Sequence, residues 1–321
     1  MQARVRRHVI AALAVFSIGV SAPSAQQEQI ADPDFKPSIA APTYTGTNRP
    51  IVLVDEAHAN FHTVSGRYKP FADLLSADGY RVMAGTQPFT ATSLHAARVV
   101  VIANALGSGI NASNMNNPPS AFTDAECDAM RDWVAGGGSL FLIADHSPFG
   151  ATAASLASRF GVEMGKGYAW DGSNRKDPTT NITHTRATGA LGDHPIMRGV
   201  NTVVAFTGQS LSVPAGAAVL LKLGPATYES DAATGAADMT AYQSGNPTGA
   251  RSVAGRAQGL AIEFGKGRVV MTAEAAMFSA QVMRLTENGK TSETKMGMNV
   301  PGNDNQQFLL NIMRWLTRYL P

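Results

Sequence analysis

Ile51-Val52-Leu53-Val54-Asp55-Glu56-Ala57-His58-Ala59-Asn60-Phe61-His62-Thr63 is an apolar run that ends in two acids, two imidazoles and an amide within eight positions. A strand covered on both faces reads as an unbroken apolar run, so Ile51–Val54 predicts a buried strand of a parallel sheet. In open α/β sheets ligands bind outside the carboxyl ends of the strands. Asp55, Glu56, His58, Asn60 and His62 are therefore placed where chemistry is expected. Asp55-Glu56-Ala57-His58 also spells the box of nucleic-acid helicases. A helicase needs a phosphate-cradling Gly-x-x-x-x-Gly-Lys-[Ser/Thr] upstream; here Gly289-Lys290-Thr291 lies far downstream, with Arg284 where the first Gly should be. A formal net charge of +2 gives no basis for a nucleic-acid surface.

Working toward the amino terminus, Arg4, Arg6 and Arg7 precede an apolar run from Val9 to Val20 and small residues ending at Ala25. This is the three-part pattern of a secretory signal peptide cut after Ala25. The run is shorter than the roughly 18 residues a membrane span requires, and no later segment reaches that length. The expected location is periplasmic or secreted. Residues 26–49, rich in Pro, Gln, Ala and Thr, read as a flexible leader, and 50–321 as a single α/β domain. With Cys127 as the one cysteine, no intramolecular disulfide can form, so the core alone must hold the fold. The acids flanking Cys127 disfavour a thiolate and point to core packing. The sequence carries no signal for an oligomeric state.

Toward the carboxyl terminus, strands and helices alternate. A helix is expected over Lys69–Ala77 with Gly79 as its stop, then strand Tyr80–Ala84, a short helix Ser93–Ala97 and strand Arg98–Ala103. Residues 105–122 form a long loop. Thr123 with Glu126 makes a capping box for a helix to about Ala135, closed by Gly136-Gly137-Gly138. Strand Ser139–Ala144, the turn Asp145-His146-Ser147-Pro148 and a helix to Phe160 follow. The alternation predicts a doubly wound, mostly parallel sheet with helices on both faces, flavodoxin-like in architecture. Its carboxyl edge would gather Asp55–His62, Asn104 and Asp145–His146. Residues 165–190 read as a polar insertion carrying Trp170, and 229–256 as a loose stretch. Gly259–Phe264 and Arg268–Thr272 read as a hairpin leading to Glu274 and a short helix Ala275–Met283. A polar loop over 286–302 and an amphipathic helix Asn305–Leu320 complete the chain.

The helix ending in three glycines, the strand Leu140-Phe141-Leu142-Ile143-Ala144 and the tight turn after it resemble the class I glutamine amidotransferase-like fold. In those enzymes the turn holds a nucleophilic Cys; here it is Asp145-His146-Ser147, so glutaminase activity is not implied. Gly137-Gly138-Ser139-Leu140 through His146, with Asp193-His194-Pro195-Ile196-Met197-Arg198-Gly199-Val200, is similar to the trehalose-utilisation branch. Asp55–Thr63, Glu274-Ala275-Ala276-Met277-Phe278-Ser279 and Asn305–Trp315 resemble an uncharacterised exported bacterial branch. The resemblance implies the fold across nearly the whole chain and, for a ligand, a carbohydrate-like small molecule.

His58 and His62 are four apart, so one helical turn would put both imidazoles on one face as metal ligands lie. With Asp145 and His146 converging from the next turn, the set would suit Zn or another first-row divalent ion holding a water. Glu56, His146 and Glu274 would then carry protons. Asp55, Asn60, Asn104 and Trp170 are the expected substrate contacts. An alternative has Asp55 and Asn60 capping the following turn. Another has no metal, a His146 and Glu pair moving a proton beside a sugar carbonyl. Ser147 lacks a Gly-x-Ser-x-Gly frame. His194, before Pro195, is expected to end a loop, and His95 and His184 to lie on the surface. The function read from the sequence is an exported metal-dependent hydrolase or isomerase. The alternative is a non-catalytic ligand- or partner-binding module.

Overall fold

The computed structural model describes residues 26–111, 113–115, 117–287 and 290–321, so the expected signal segment lies outside the described residues. The strands are β1 Gln26–Ala31, β2 Ile51–Asp55, β3 Arg81–Gly85, β4 Val99–Ala103 and β5 Ser139–Ile143. There follow β6 Tyr168–Asp171, β7 Thr183–Thr185, β8 Thr202–Val204, β9 Ala218–Lys222 and β10 Thr227–Ser230. The last are β11 Arg251–Ser252, β12 Ala257–Phe264, β13 Gly267–Thr272, β14 Ala280–Glu287 and β15 Lys290–Gly297. The helices are α1 Lys69–Ala77, α2 Ala91–Leu94, α3 Asp124–Ala135, α4 Phe149–Ser158, α5 Gly235–Ser244 and α6 Asn305–Leu316.

Seven strands form the central sheet in the order β3-β2-β4-β5-β13-β12-β9. β3, β2, β4, β5 and β13 run parallel, and the hairpin partner β12 and then β9 add antiparallel pairs. Strand residues divide by the two-residue alternation of the pleat. Val99, Val101, Phe141 and Ile143 pack in one apolar cluster with Phe71 and Leu74 of α1 and Phe308 and Ile312 of α6. Val100, Ile102, Leu140 and Leu142 pack in a second with Met130 and Val134 of α3 and Leu156 of α4. β4 and β5 are buried along their whole length, which is why their sequences show no polar alternation. Cys127 is buried in the second cluster, and burial raises its thiol pKa.

Local chemistry sets the helix ends. Thr123 and Glu126 form the expected capping box: the Thr123 hydroxyl accepts from the Glu126 amide, and Glu126 Oε2 accepts from Thr123 N at 3.0 Å. α1 carries Pro70 in its first turn and stops before Gly79, whose φ is 94° and whose missing Cβ leaves room for the carbonyl of Tyr44.

The structure differs from expectation where polar strands pair with one another. The start of the expected flexible leader is β1, paired antiparallel with β14, and Phe35, Ile39 and Tyr44 pack on the core. The expected helix Ala275–Met283 is a single 3-10 turn, Ala276–Phe278, and the expected polar loop contains β15. β15 is exposed from Lys290 to Lys295, so neither face carries an apolar period. Its pairing with β14 rests on cross-strand contacts, Thr286 to Thr291 at 2.9 Å and Arg284 to Glu293 at 2.7 Å. The 165–190 insertion supplies β6 and β7, which pair with β10 and β8, and the stretch expected to be loose contains α5 and β11.

Asp78 ties three parts of the chain together. Its buried carboxylate accepts from Thr43 N at 2.9 Å and from Arg314 Nη2 of α6 at 2.9 Å, at the end of α1. Removing one partner of a buried ion pair leaves the other uncompensated. Asp78→Ala is expected to cost about 3 kcal/mol in urea unfolding. A loss under about 1 kcal/mol would show that the segment 43–44 is held by packing alone.

Candidate functional site at the carboxyl edge

The parallel strands deliver their following residues to one edge. Asp55 ends β2, Asn104 follows β4, Asp145 lies just past β5 and Glu274 just past β13. Asn104 takes a left-handed φ of 53°, a conformation Asn tolerates better than most side chains. There its Oδ1 accepts from Asp145 N at 2.9 Å, while its carbonyl accepts from Phe61 N at 2.9 Å. One residue thus locks two loops of the edge together.

The expected metal ligands separate into two groups. His58 is held between two carboxylates. Its Nδ1 lies 2.9 Å from both oxygens of Asp55, and its Nε2 lies 2.8 Å from Glu126 Oε1 of α3. The ring is packed between Phe89 and Phe122, with centroids 4.7 Å away in each case. Asn60 donates to Asp55 Oδ2 at 3.0 Å, and Ala57 N donates to Asp55 Oδ1 at 3.2 Å. Glu56 accepts from Val64 N at 2.7 Å and so braces the same loop. Both ring nitrogens of His58 are therefore engaged. Among the described residues no three His, Cys, Asp or Glu side chains are grouped as a metal would require.

The second group surrounds Tyr68. His62 is buried and stacks on the Tyr68 ring at 4.5 Å, with Nδ1 lacking a hydrogen-bond partner among the described residues. The Tyr68 hydroxyl donates to Ala275 O at 2.8 Å. Glu274 is fully buried, and Ala276 N and Met277 N each donate to it at 2.7 Å. Burial and the neighbouring Asp145 carboxylate raise the Glu274 pKa well above the usual range, against the pull of these amides. Asp145 Oδ1 accepts from Thr207 Oγ1 at 3.0 Å and from His146 N at 2.7 Å; Oδ2 makes no hydrogen bond among the described residues. His146 is half-buried, its Nδ1 2.7 Å from Ser147 O, and its ring stacks on Tyr168 at 4.2 Å. The Tyr168 hydroxyl is pushed up to about 12 by burial and by Asp145.

Trp170, expected to contact substrate, is fully buried in the small sheet: Nε1 donates to Ser230 Oγ at 3.0 Å and the ring stacks on Tyr228. Two positions along β6, Tyr168 reaches the edge instead. His184, expected on the surface, is buried with Nε2 2.8 Å from Gln258 Oε1, and burial lowers its pKa. His194 holds a loop, accepting from Ile196 N at 3.2 Å. The residues that the sequence reading missed are Glu126 as the partner of His58, Tyr68 and Thr207. Each reaches its partner across a long sequence separation, so no local spacing announces it. Cavities of about 610 and 520 Å³ open at the opposite edge.

No family model matches the sequence, and no curated protein does. Among solved structures the chain is similar to the mmIFT52 N-terminal domain, with a TM-score of 0.56 and 14% identity over 83% of this chain and 97% of that one. Other matches are a putative ThuA-like protein from Bacteroides uniformis (TM-score 0.44, 14% identity, 88% of this chain, 94% of that one) and a cytoplasmic protein from Salmonella typhimurium (0.46, 10%, 83% and 98%). At such identities the likeness is one of fold. The chain is a mixed α/β protein on a large, mostly parallel sheet, consistent with a flavodoxin-like fold. Among the described residues no helix is long and apolar enough to cross a membrane.

The two imidazoles should titrate in opposite directions. Burial works to lower the His58 pKa, but Asp55 and Glu126 outweigh it and raise the value above 6.5. Burial works to raise Glu126, but bonds from His58 and Thr123 hold it at about 2. A raised histidine stabilises fully below its unfolded value of 6.5 and loses that contribution as pH rises through the folded pKa. A depressed carboxylate stabilises above its unfolded value of 4.5 and loses that contribution as pH falls toward about 2. His58→Gln is therefore expected to cost more stability in urea at about pH 5.5 than at about pH 9. Equal losses at the two pH values would remove the charged link. His62, pushed down to about 3 by burial and by Arg67, is expected to keep a neutral imidazole NMR signal to about pH 4.

Proposed function

We propose that the carboxyl edge binds a small hydroxyl- or carbonyl-bearing, carbohydrate-like molecule and transforms it by proton transfer, as a hydrolase or isomerase. The observation that carries this reading is the pair Asp145 and Glu274. They are two carboxyls in one corner, one with an oxygen free of any partner among the described residues, the other held toward its protonated form by burial. Asp145 Oδ2 is the base. His146, its Nε2 without a partner among the described residues and its ring steadied by Tyr168, carries the proton to or from the ligand oxygen. Glu274 is buried beyond the reach of a ligand and acts by keeping the corner dry and its net charge low.

A divalent metal at His58, His62, Asp145 and His146 would require His58 to leave two carboxylates and His62 to leave its stack on Tyr68. The reading adopted is accordingly the metal-free one. The amino-terminal pattern supports export, with the reaction in the periplasm or outside the cell. The second reading, a non-catalytic ligand- or partner-binding module, is favoured by Glu274, whose two oxygens accept the Ala276 and Met277 amides as a turn cap does.

The test is a screen of glycosides, lactones and esters for turnover, and of reducing sugars for proton exchange with deuterated water, beside elemental analysis of protein prepared without chelator. Turnover is expected, and Asp145→Asn or His146→Gln should lower kcat/KM by about 10²-fold or more with the melting midpoint little changed. Ligand binding without turnover, equal in both variants, would leave the binding module standing. About one equivalent of Zn, Mn, Fe or Ni, lost in His146→Gln, would restore the metal reading.

A further inference from the structure

We propose that the opposite, amino edge of the sheet carries a second site, a glycine-walled cationic cavity that binds a small phosphate-bearing anion. The cavity, about 610 Å³, is lined by Arg98, Lys266 and Arg318, by Glu263 and by four glycines. It lies where α3 ends in Gly136-Gly137 and where the turn Gly265-Lys266-Gly267 joins β12 to β13. The glycines let these two turns close on one another. Gly265 has a φ of 59°, and a Cβ there would come within 2.8 Å of Ala135 Cα. The approach gathers cations from three separate segments around one hollow.

Those cations are largely unspent. Arg98 donates one bond to Gly137 O at 3.3 Å, Arg318 donates to Lys266 O, and the Lys266 ammonium has no partner among the described residues. A guanidinium offers five N–H donors, so most remain for a ligand. Behind them Arg268 donates to Trp315 O and Leu320 O, and its buried Nε has no partner among the described residues. Glu263, the one acid lining the cavity, lies 3.5 Å from Arg268. Part of this charge serves the carboxyl ends of α3 and α6, where cations are stabilising. That role does not need so many: burial first, and then the charge of Arg318, lower the pKa of Arg98 and of Arg268, so the cations repel one another.

An anion in the cavity would remove this repulsion. Two guanidiniums and an ammonium match a multiply charged phosphate better than a single carboxylate, and forked Arg recognition suits its geometry. The volume lies in the range of small-molecule sites. The charge is confined to one hollow on a chain of net charge +2, unlike the extended stripe of a nucleic-acid surface. The proposal is independent of the carboxyl-edge reading, since no residue is shared.

The probe is inorganic pyrophosphate, titrated into the full chain by calorimetry and thermal melting against sodium chloride of equal ionic strength. Binding and a raised melting midpoint are expected in the wild type and in Lys69→Ala, a charge removed from an exposed pair on α1. Arg98→Ala with Arg318→Ala should weaken Kd by at least about tenfold. If that variant does not fold, Lys266→Glu, at an exposed position, should give the same loss. Equal binding in the variants, or a midpoint shift matched by sodium chloride, would overturn the site. Arg98- and Arg318-dependent binding to vesicles containing phosphatidylglycerol, with none to pyrophosphate, would overturn the small-anion assignment in favour of a lipid headgroup.

Discussion

The parallel register of four neighbouring strands governs both edges of the molecule. Val54 pairs with Val101, Val101 with Phe141 and Phe141 with Val270, so β2, β4, β5 and β13 advance in step. Once those apolar residues are aligned to fill the two layers beside the sheet, the positions a few residues later cannot be anywhere but together. Asp55, Asn104, Asp145 and Glu274 are gathered by that constraint and not by attraction to one another. The Asp145 carboxylate in fact opposes the ionisation of Glu274. At the other end the same register aligns Val52, Val99, Ser139 and Arg268, and brings the residues just before them to the amino edge. Acids collect at one edge and arginines at the other, separated by the length of strands buried on both faces.

Burial decides what each edge group can do. His58 and His62 sit on the same loop, yet one is raised and the other is pushed down to about 3. The difference is in their partners: two carboxylates for His58, and for His62 an aromatic stack with no hydrogen-bond partner for Nδ1 among the described residues. His58 is committed to joining β2 to α3, so its loop is anchored rather than free to close on a ligand. Among the described residues Asp145 Oδ2 and His146 Nε2 have no hydrogen-bond partner, and both residues lie on a turn after a fully buried strand.

Much of the central sheet was legible in the sequence because its signals are local. The run Ile51–Val54, the Thr123 and Glu126 box and the glycine turn between β12 and β13 each state their structure within a few residues. The polar sheet of β1, β14 and β15 was not legible, because Gln26–Ala31 and Lys290–Lys295 lack an apolar face and are specified by their partners. The candidate site was legible to the extent that strand ends predict it. Asp145, His146 and Glu274 are at the expected edge, whereas Trp170 is buried within the small sheet and His184 in a bond with Gln258.

Glu126 shows why the remainder was hidden. As the third helical residue after Thr123 it is an ordinary capping acid, and its Oε2 does that work, accepting from Thr123 N and Oγ1. Its other oxygen, directed away from the cap, accepts from Phe89 N at 3.3 Å and lies 2.8 Å from His58 Nε2. The local role fully explains the residue type, so the sequence holds no surplus signal to announce the second. Yet that second role occupies His58 Nε2 with a carboxylate. A spacing of two histidines on one loop specifies a metal site only if nothing elsewhere in the fold has already claimed their nitrogens, and such claims become visible only when the helices are packed.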